Sequence, residues 1–194
     1  MKKTAESSVT FMRKDFITKS ETIKDAYDVS AKALATGTYG AVHQCTHKIT
    51  KVKRAVKIIP KYKMTDICNF LDEIELLKTV DHPHIIRIYE WFEDKNNVYV
   101  VMEMCEGGEL FDKLTNEGHL SEALAANLFK DMMSAVNYCY SKKICHRDLK
   151  PENFMFVSKD TSSEIKLIDF GLSQIFEDSS INLVCNVSNR SWQD

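Results

Sequence analysis

The stretch His146-Arg147-Asp148-Leu149-Lys150-Pro151-Glu152-Asn153 brings a carboxylate, an ammonium group and a carboxamide together in one short segment. Moving a phosphoryl group onto a hydroxyl needs a carboxylate that orients the hydroxyl and accepts its proton. It also needs an oxygen ligand for magnesium. Asp148 and Asn153, five positions apart, fit those two tasks. A charged surface loop is the plain alternative for any isolated His-Arg-Asp.

Groups like these act only if a scaffold holds them. Residues 1–26 mix Lys, Thr, Ser and Glu with no sustained period and read as an extension. From Tyr27 to Ile59, short β-branched segments broken by Gly37 and Gly40 predict consecutive antiparallel strands ending at Pro60. Ile67, Phe70, Leu71, Ile74, Leu77 and Val80 recur at three and four, which predicts one amphipathic helix between Met64 and Val80. Strands are expected around Ile85 to Phe92 and Val98 to Met104, with a turn through Asp94 to Asn97. Behind Ser121 as N-cap, Leu124, Leu128, Met132, Val136 and Tyr140 predict a long core helix.

Further matches accompany the 146–153 stretch. Asp169-Phe170-Gly171 follows the strand-like Ile165-Lys166-Leu167-Ile168, and Ala55-Val56-Lys57 lies upstream. Further upstream stands Leu34-Ala35-Thr36-Gly37-Thr38-Tyr39-Gly40-Ala41-Val42. Together these resemble a eukaryotic serine/threonine protein kinase. Asp81-His82-Pro83-His84-Ile85, Gly107-Gly108-Glu109-Leu110-Phe111-Asp112 and Gly171-Leu172-Ser173 make it most like the calcium-dependent and calmodulin-dependent group.

The resemblance implies an α+β, two-lobed kinase-like fold: an antiparallel-sheet N-lobe with one helix over 27–104, and a partial, mainly helical C-lobe over 105–178. Residues 1–26 would be an N-terminal extension and 179–194 a divergent tail. It implies ATP and Mg2+ as cofactors. Asp148 would be the catalytic base, Lys150 would neutralise the transferring phosphate and mark the serine/threonine class, and Lys57, ion-paired with Glu73, would hold the α- and β-phosphates. Asn153 and Asp169 would bind the metal. Leu34, Ala35, Gly37, Thr38, Tyr39, Gly40 and Val42 would form the phosphate-covering loop, with Ala35 in place of the family's first glycine. Ala55, Met102 as gatekeeper, and Glu103 and Cys105 through their backbones would surround the adenine. Glu109 would face the ribose or a basic substrate residue. Protein substrates with basic residues near the phosphorylated position are the implied partners.

Composition narrows the remaining classes. A formal net charge of -2 gives no general attraction to nucleic acid or anionic membrane. The six cysteines show no C-x-x-C pair or zinc-ligand spacing, which fits free thiols in a reducing compartment. No secretory leader or D-x-[DN]-x-[DN]-G calcium loop is read, so the expectation is a cytoplasmic or nuclear protein without its own calcium site. His82 and His84 read as a loop rather than a metal site. The family's Ala-Pro-Glu motif and later helices do not follow Asp178. The expectations are therefore impaired turnover and exposed apolar surface around Leu128, Met132 and Val136. The alternative is a catalytically silent nucleotide-binding fragment acting as a regulator or scaffold.

Overall fold

A computed structural model describes residues 22–37, 40–64, 66–117, 120–160, 163–170 and 174–175. Thr38, Tyr39, Gly171, most of the 1–26 extension and the 179–194 tail lie outside the described residues. The fold begins earlier than Tyr27. A single helical turn, α1 (Ile23–Ala26), buries Ile23 and leads directly into β1.

Five antiparallel strands follow as β1 (Tyr27–Gly37), β2 (Gly40–His47), β3 (Lys53–Pro60), β4 (Ile88–Glu93) and β5 (Asn97–Met102), in the sheet order β1-β2-β3-β5-β4. The β1–β2 turn closes with Gly37 opposite Gly40. Gly40 has φ 152°, and a Cβ there would lie 2.1 Å from the Ile58 carbonyl oxygen, so the neighbouring strand leaves room only for glycine. Strand β4 starts at Ile88 rather than Ile85, since Ile85 and Ile86 bridge to Leu167 instead.

Helix α2 (Ile67–Leu77) is capped by Asp66, whose side chain accepts the Asn69 amide. Ile74 and Leu77 anchor it in the main core. Below the sheet lie α3 (Leu110–Glu117), α4 (Glu122–Ser141) and the short strands β6 (Ile144–Cys145), β7 (Phe154–Phe156), β8 (Ile165–Leu167) and β9 (Gln174–Ile175), paired as β6–β9 and β7–β8.

Ser121 caps α4 by accepting the Leu124 amide at 3.3 Å. The buried line of α4 differs from the expected one: it runs Leu128, Ala135, Cys139, while Tyr140 is 65% exposed. A strict interval of four overshoots a helical face by about 40° per step, so a line begun at Leu124 has rotated away from the core by Tyr140. Leu128 is only 7% exposed and Met132 packs against the core; the exposed apolar groups of α4 are Phe129, Met133 and Tyr140.

Candidate active site

The segment 146–153 is wired to itself and to the β8 region. Asn153, 6% exposed, donates through Nδ2 to the Asp148 carbonyl at 2.7 Å and to Asp148 Oδ2 at 2.9 Å. Lys150 Nζ lies 2.8 Å from the same carboxylate oxygen. Burial alone would raise the Asp148 pKa, but the hydrogen bonds from Lys150 and Asn153 outweigh it and hold the carboxyl below its ordinary value. The Asp148 bond in turn raises Lys150. Asp148 is thus an ionised acceptor at neutral pH.

His146 fastens this loop to the strand preceding Asp169. Its Nδ1 accepts the Asp148 amide at 3.4 Å, and its Nε2 faces the Ile168 carbonyl at 2.9 Å. An amide can donate only to an unprotonated nitrogen, so this wiring selects the neutral ring with its proton on Nε2. Burial pushes its pKa down in the same sense. The Phe170 ring packs edge-on to His146 with centroids 4.7 Å apart. The Ile168 amide donates to the Asn153 carbonyl at 2.8 Å, which brings Asp169 alongside Asn153. Arg147 (φ 64°) and Asp169 (φ 58°) both adopt the left-handed backbone, a sparsely populated conformation that concentrates at functional turns.

The sheet supplies the opposite wall. Val42 stands across from Lys57 in the β2–β3 pairing, and Ala55 across from Met102 in the β3–β5 pairing. Ala35 stands across from Val42, and Leu34 is exposed. Glu103 gives its backbone N–H to the Arg87 carbonyl at 2.9 Å. Burial raises the Cys105 thiol to about 11, so it remains protonated on the segment that leaves β5. Glu109 is raised by burial and by Asp112 and Glu152 nearby, a local concentration of negative charge.

One expected contact is replaced by another. Lys57 Nζ pairs with Asp169 Oδ1 at 2.5 Å, and among the described residues no Lys57–Glu73 ion pair is formed. Glu73 is half-buried; its pKa is raised by that burial, and Arg147 opposes the rise. The position of α2 sets this outcome. Spacing places Glu73 on the helix but not at a given distance from Lys57.

Sequence reasoning also passed over Lys166, a buried cation in β8 that donates to the Pro83 carbonyl at 2.7 Å and lies 3.2 Å from Glu103 Oε2. A lysine inside an otherwise apolar strand was the available signal. The oxygen donors present, an Asp carboxylate and a neighbouring Asn, suit a hard cation such as magnesium.

A sheet of five strands over a helical base, with Lys57 paired to Asp169 and Asp148 bonded to Asn153 and Lys150, defines the class: a protein-kinase-like fold. Residues 29–190 match the family described as Protein kinase domain, and the chain belongs to that family. It is 44% identical over 169 residues to calcium-dependent protein kinase 3 of Plasmodium yoelii yoelii, covering 87% of this chain and 31% of the relative. Identity to calcium-dependent protein kinase 5 of Plasmodium falciparum is 43% over 154 residues, covering 79% of this chain and 27% of the relative. Calcium-dependent protein kinase 12 of Arabidopsis thaliana is 43% identical over 159 residues, covering 80% and 32% respectively. The chain therefore spans about three tenths of the length of these relatives.

Proposed function

We propose that this chain transfers the γ-phosphoryl group of ATP, with Mg2+, to serine or threonine hydroxyls of proteins. The observation that carries the reading is the ionised Asp148, held by Asn153 and Lys150 and joined through the Ile168–Asn153 backbone bond to Asp169. Asp148 orients the incoming hydroxyl and takes its proton, and Lys150 stands beside it to balance charge on the transferring group. Asp169 and Asn153 are the residues that would hold magnesium, which when bound neutralises charge on the phosphates. Lys57 leaves Asp169 for a phosphate oxygen when nucleotide enters. The carboxylates Glu109, Asp112 and Glu152 favour substrates with arginine or lysine near the acceptor residue.

The Lys57–Asp169 pair also supports a second reading, a nucleotide-binding form with little turnover, because Glu73 does not brace Lys57. Thermal denaturation with ATP and Mg2+ tests binding. A magnesium-dependent rise in Tm that Asp169→Asn abolishes is expected, since a ligand of the folded state stabilises it by mass action. Absence of any shift overturns the nucleotide site. Transfer of labelled phosphate to a basic serine peptide then separates the readings: turnover well below about 1 per second favours the quiet form, and roughly 1 to 100 per second the active one.

A further inference from the structure

In the segment that follows α2, a second histidine is wired as His146 is. The His84 amide donates to His82 Nδ1 at 3.1 Å, and His82 Nε2 lies 3.1 Å from Ser134 Oγ. Nδ1 must be unprotonated to accept an amide proton, so Nε2 carries the hydrogen and donates to Ser134. The ring also lies against Tyr138, centroids 5.0 Å apart, and the Tyr138 hydroxyl accepts the Asp81 amide at 3.2 Å. Ser134 and Tyr138 are one turn apart on α4, and together they grip the segment that leaves α2. Between the end of α2 at Leu77 and this grip lies only 78–80, with Val80 buried in the core. A shift of the grip therefore reaches α2 with little slack.

We propose that His82 is a positioning residue for the candidate active site, seating the segment after α2 on α4 as a neutral Nε2–H ring and thereby setting where α2 presents Glu73, with protonation releasing the seat. The proposal rests on the kinase reading given above.

The surroundings do not favour a proton on His82. From its own segment, His84 lies 5.6 Å away ring to ring, with its Nε2 3.5 Å from Asp131 of α4. From β8, Lys166 faces the ring region but is matched by Glu103. Asp81 lies 3.7 Å from Arg87, and Lys142 stands over the Tyr138 ring at 5.7 Å. Asp81 and Glu103 already face cations, and Asp131 faces the His84 ring. Burial, His84 and Lys166 in that order lower the pKa of His82. A cavity of about 220 Å³ lined by His82, Asp81, Arg87, Glu103 and Lys166 gives water a route to the ring. A proton arriving at Nδ1 would meet the His84 N–H head-on and break that bond.

The test combines NMR of the 15N-histidine-labelled chain, amide exchange, and ATP·Mg affinity at about pH 7.5 and 5.5, spanning the ordinary histidine range. Expected at the higher pH is His82 with a bare Nδ1. On acidification, exchange at His84 and along α2, corrected for intrinsic rate, should rise about three- to tenfold, the worth of one hydrogen bond. His82→Asn keeps an acceptor for the His84 amide but does not titrate, so its exchange should stay flat; His82→Phe keeps the ring contact and should exchange fast at both pH values. ATP·Mg affinity relative to the unaltered chain should fall with His82→Phe and be restored by His82→Asn. A proton on Nδ1 at pH 7.5, or equal pH dependence in the unaltered chain and His82→Asn, overturns the proposal. So does ATP·Mg affinity unmoved by His82→Phe in a chain that binds nucleotide. Failure of the unaltered chain to bind ATP·Mg at either pH overturns the kinase reading itself, and the positioning role with it.

Discussion

The two halves of the candidate site are built to different standards. In the lower half, Asp148 is bonded to Lys150 and Asn153, and His146 links the Asp148 amide to the Ile168 carbonyl just before Asp169. In the upper half, Lys57 reaches down to Asp169 while Glu73 waits without it. The lower residues lie close in sequence or on paired short strands, so local geometry fixes them. The upper pair comes from a strand and a separate helix, and its meeting depends on where α2 is seated. A contact across two independently placed elements is the natural point at which such a site can be assembled or left open.

The largest expected effect sharpens the lower half. Asp148→Asn keeps size but removes the proton acceptor, so peptide phosphorylation should fall about 100- to 10,000-fold. Comparable turnover by the variant would mean that Asp148 only shapes the loop. Next, Lys57→Met removes the cation that would meet phosphate, and ATP·Mg affinity by calorimetry should weaken roughly 10- to 100-fold, the worth of a charge-assisted hydrogen bond. Unchanged affinity would show the pair with Asp169 to be structural only.

A stability effect follows. Asn153→Ala strips Asp148 of two hydrogen bonds and leaves the Asp148 carbonyl in need of a partner, which should cost about 1–3 kcal/mol in urea denaturation. A neutral result would break the contrast, because the lower half would then not depend on its wiring. Smallest is Glu73→Gln, expected within about 0.5 kcal/mol at neutral pH, since no bond to Lys57 is lost. The pH dependence has opposite signs in the two halves. Glu73 has a raised folded pKa, so its contribution is present below the unfolded value of 4.5 and is lost as pH rises through the folded one. Asp148 has a depressed pKa, so its contribution is present above 3.8 and is lost as pH falls through the folded value. Subtracting the Glu73→Gln and Asp148→Asn stability curves from that of the unaltered chain should show these opposing slopes.

Much of this was legible in the sequence where chemistry is contiguous. The loop 146–153 could be read as a unit because its members bond to one another, and Ser121 as an N-cap because its partner is three residues away. The strands of the sheet were legible from β-branched runs, and Gly40 from its place in a turn. What escaped depends on tertiary placement. The buried side of α4 was misassigned because an interval of four drifts around the helix, and the Lys57–Glu73 distance was not encoded by spacing. Lys166 and the His82 seat escaped because their partners, Glu103, Ser134 and Tyr138, lie far away in the chain.

The connection between the lobes is pinned from both ends. Above, Glu103 is tied to Arg87; below, the Glu106 amide donates to Val157, Gly107 to Phe156, and Phe156 back to Gly108, all at 2.9 Å. A Cβ on Gly107 would lie 2.1 Å from the Ser158 carbonyl oxygen, so the lower clamp closes without clearance. Among the described residues, Met104 and Cys105 are the two between these clamps that carry no backbone bond. Within this connection, freedom is left to two peptide units, while the segment 84–86 ties the sheet side to Leu167 of β8 at a second place. Those units lie at the expected edge of the nucleotide base, so an occupant there would meet the part of the connection that is not clamped.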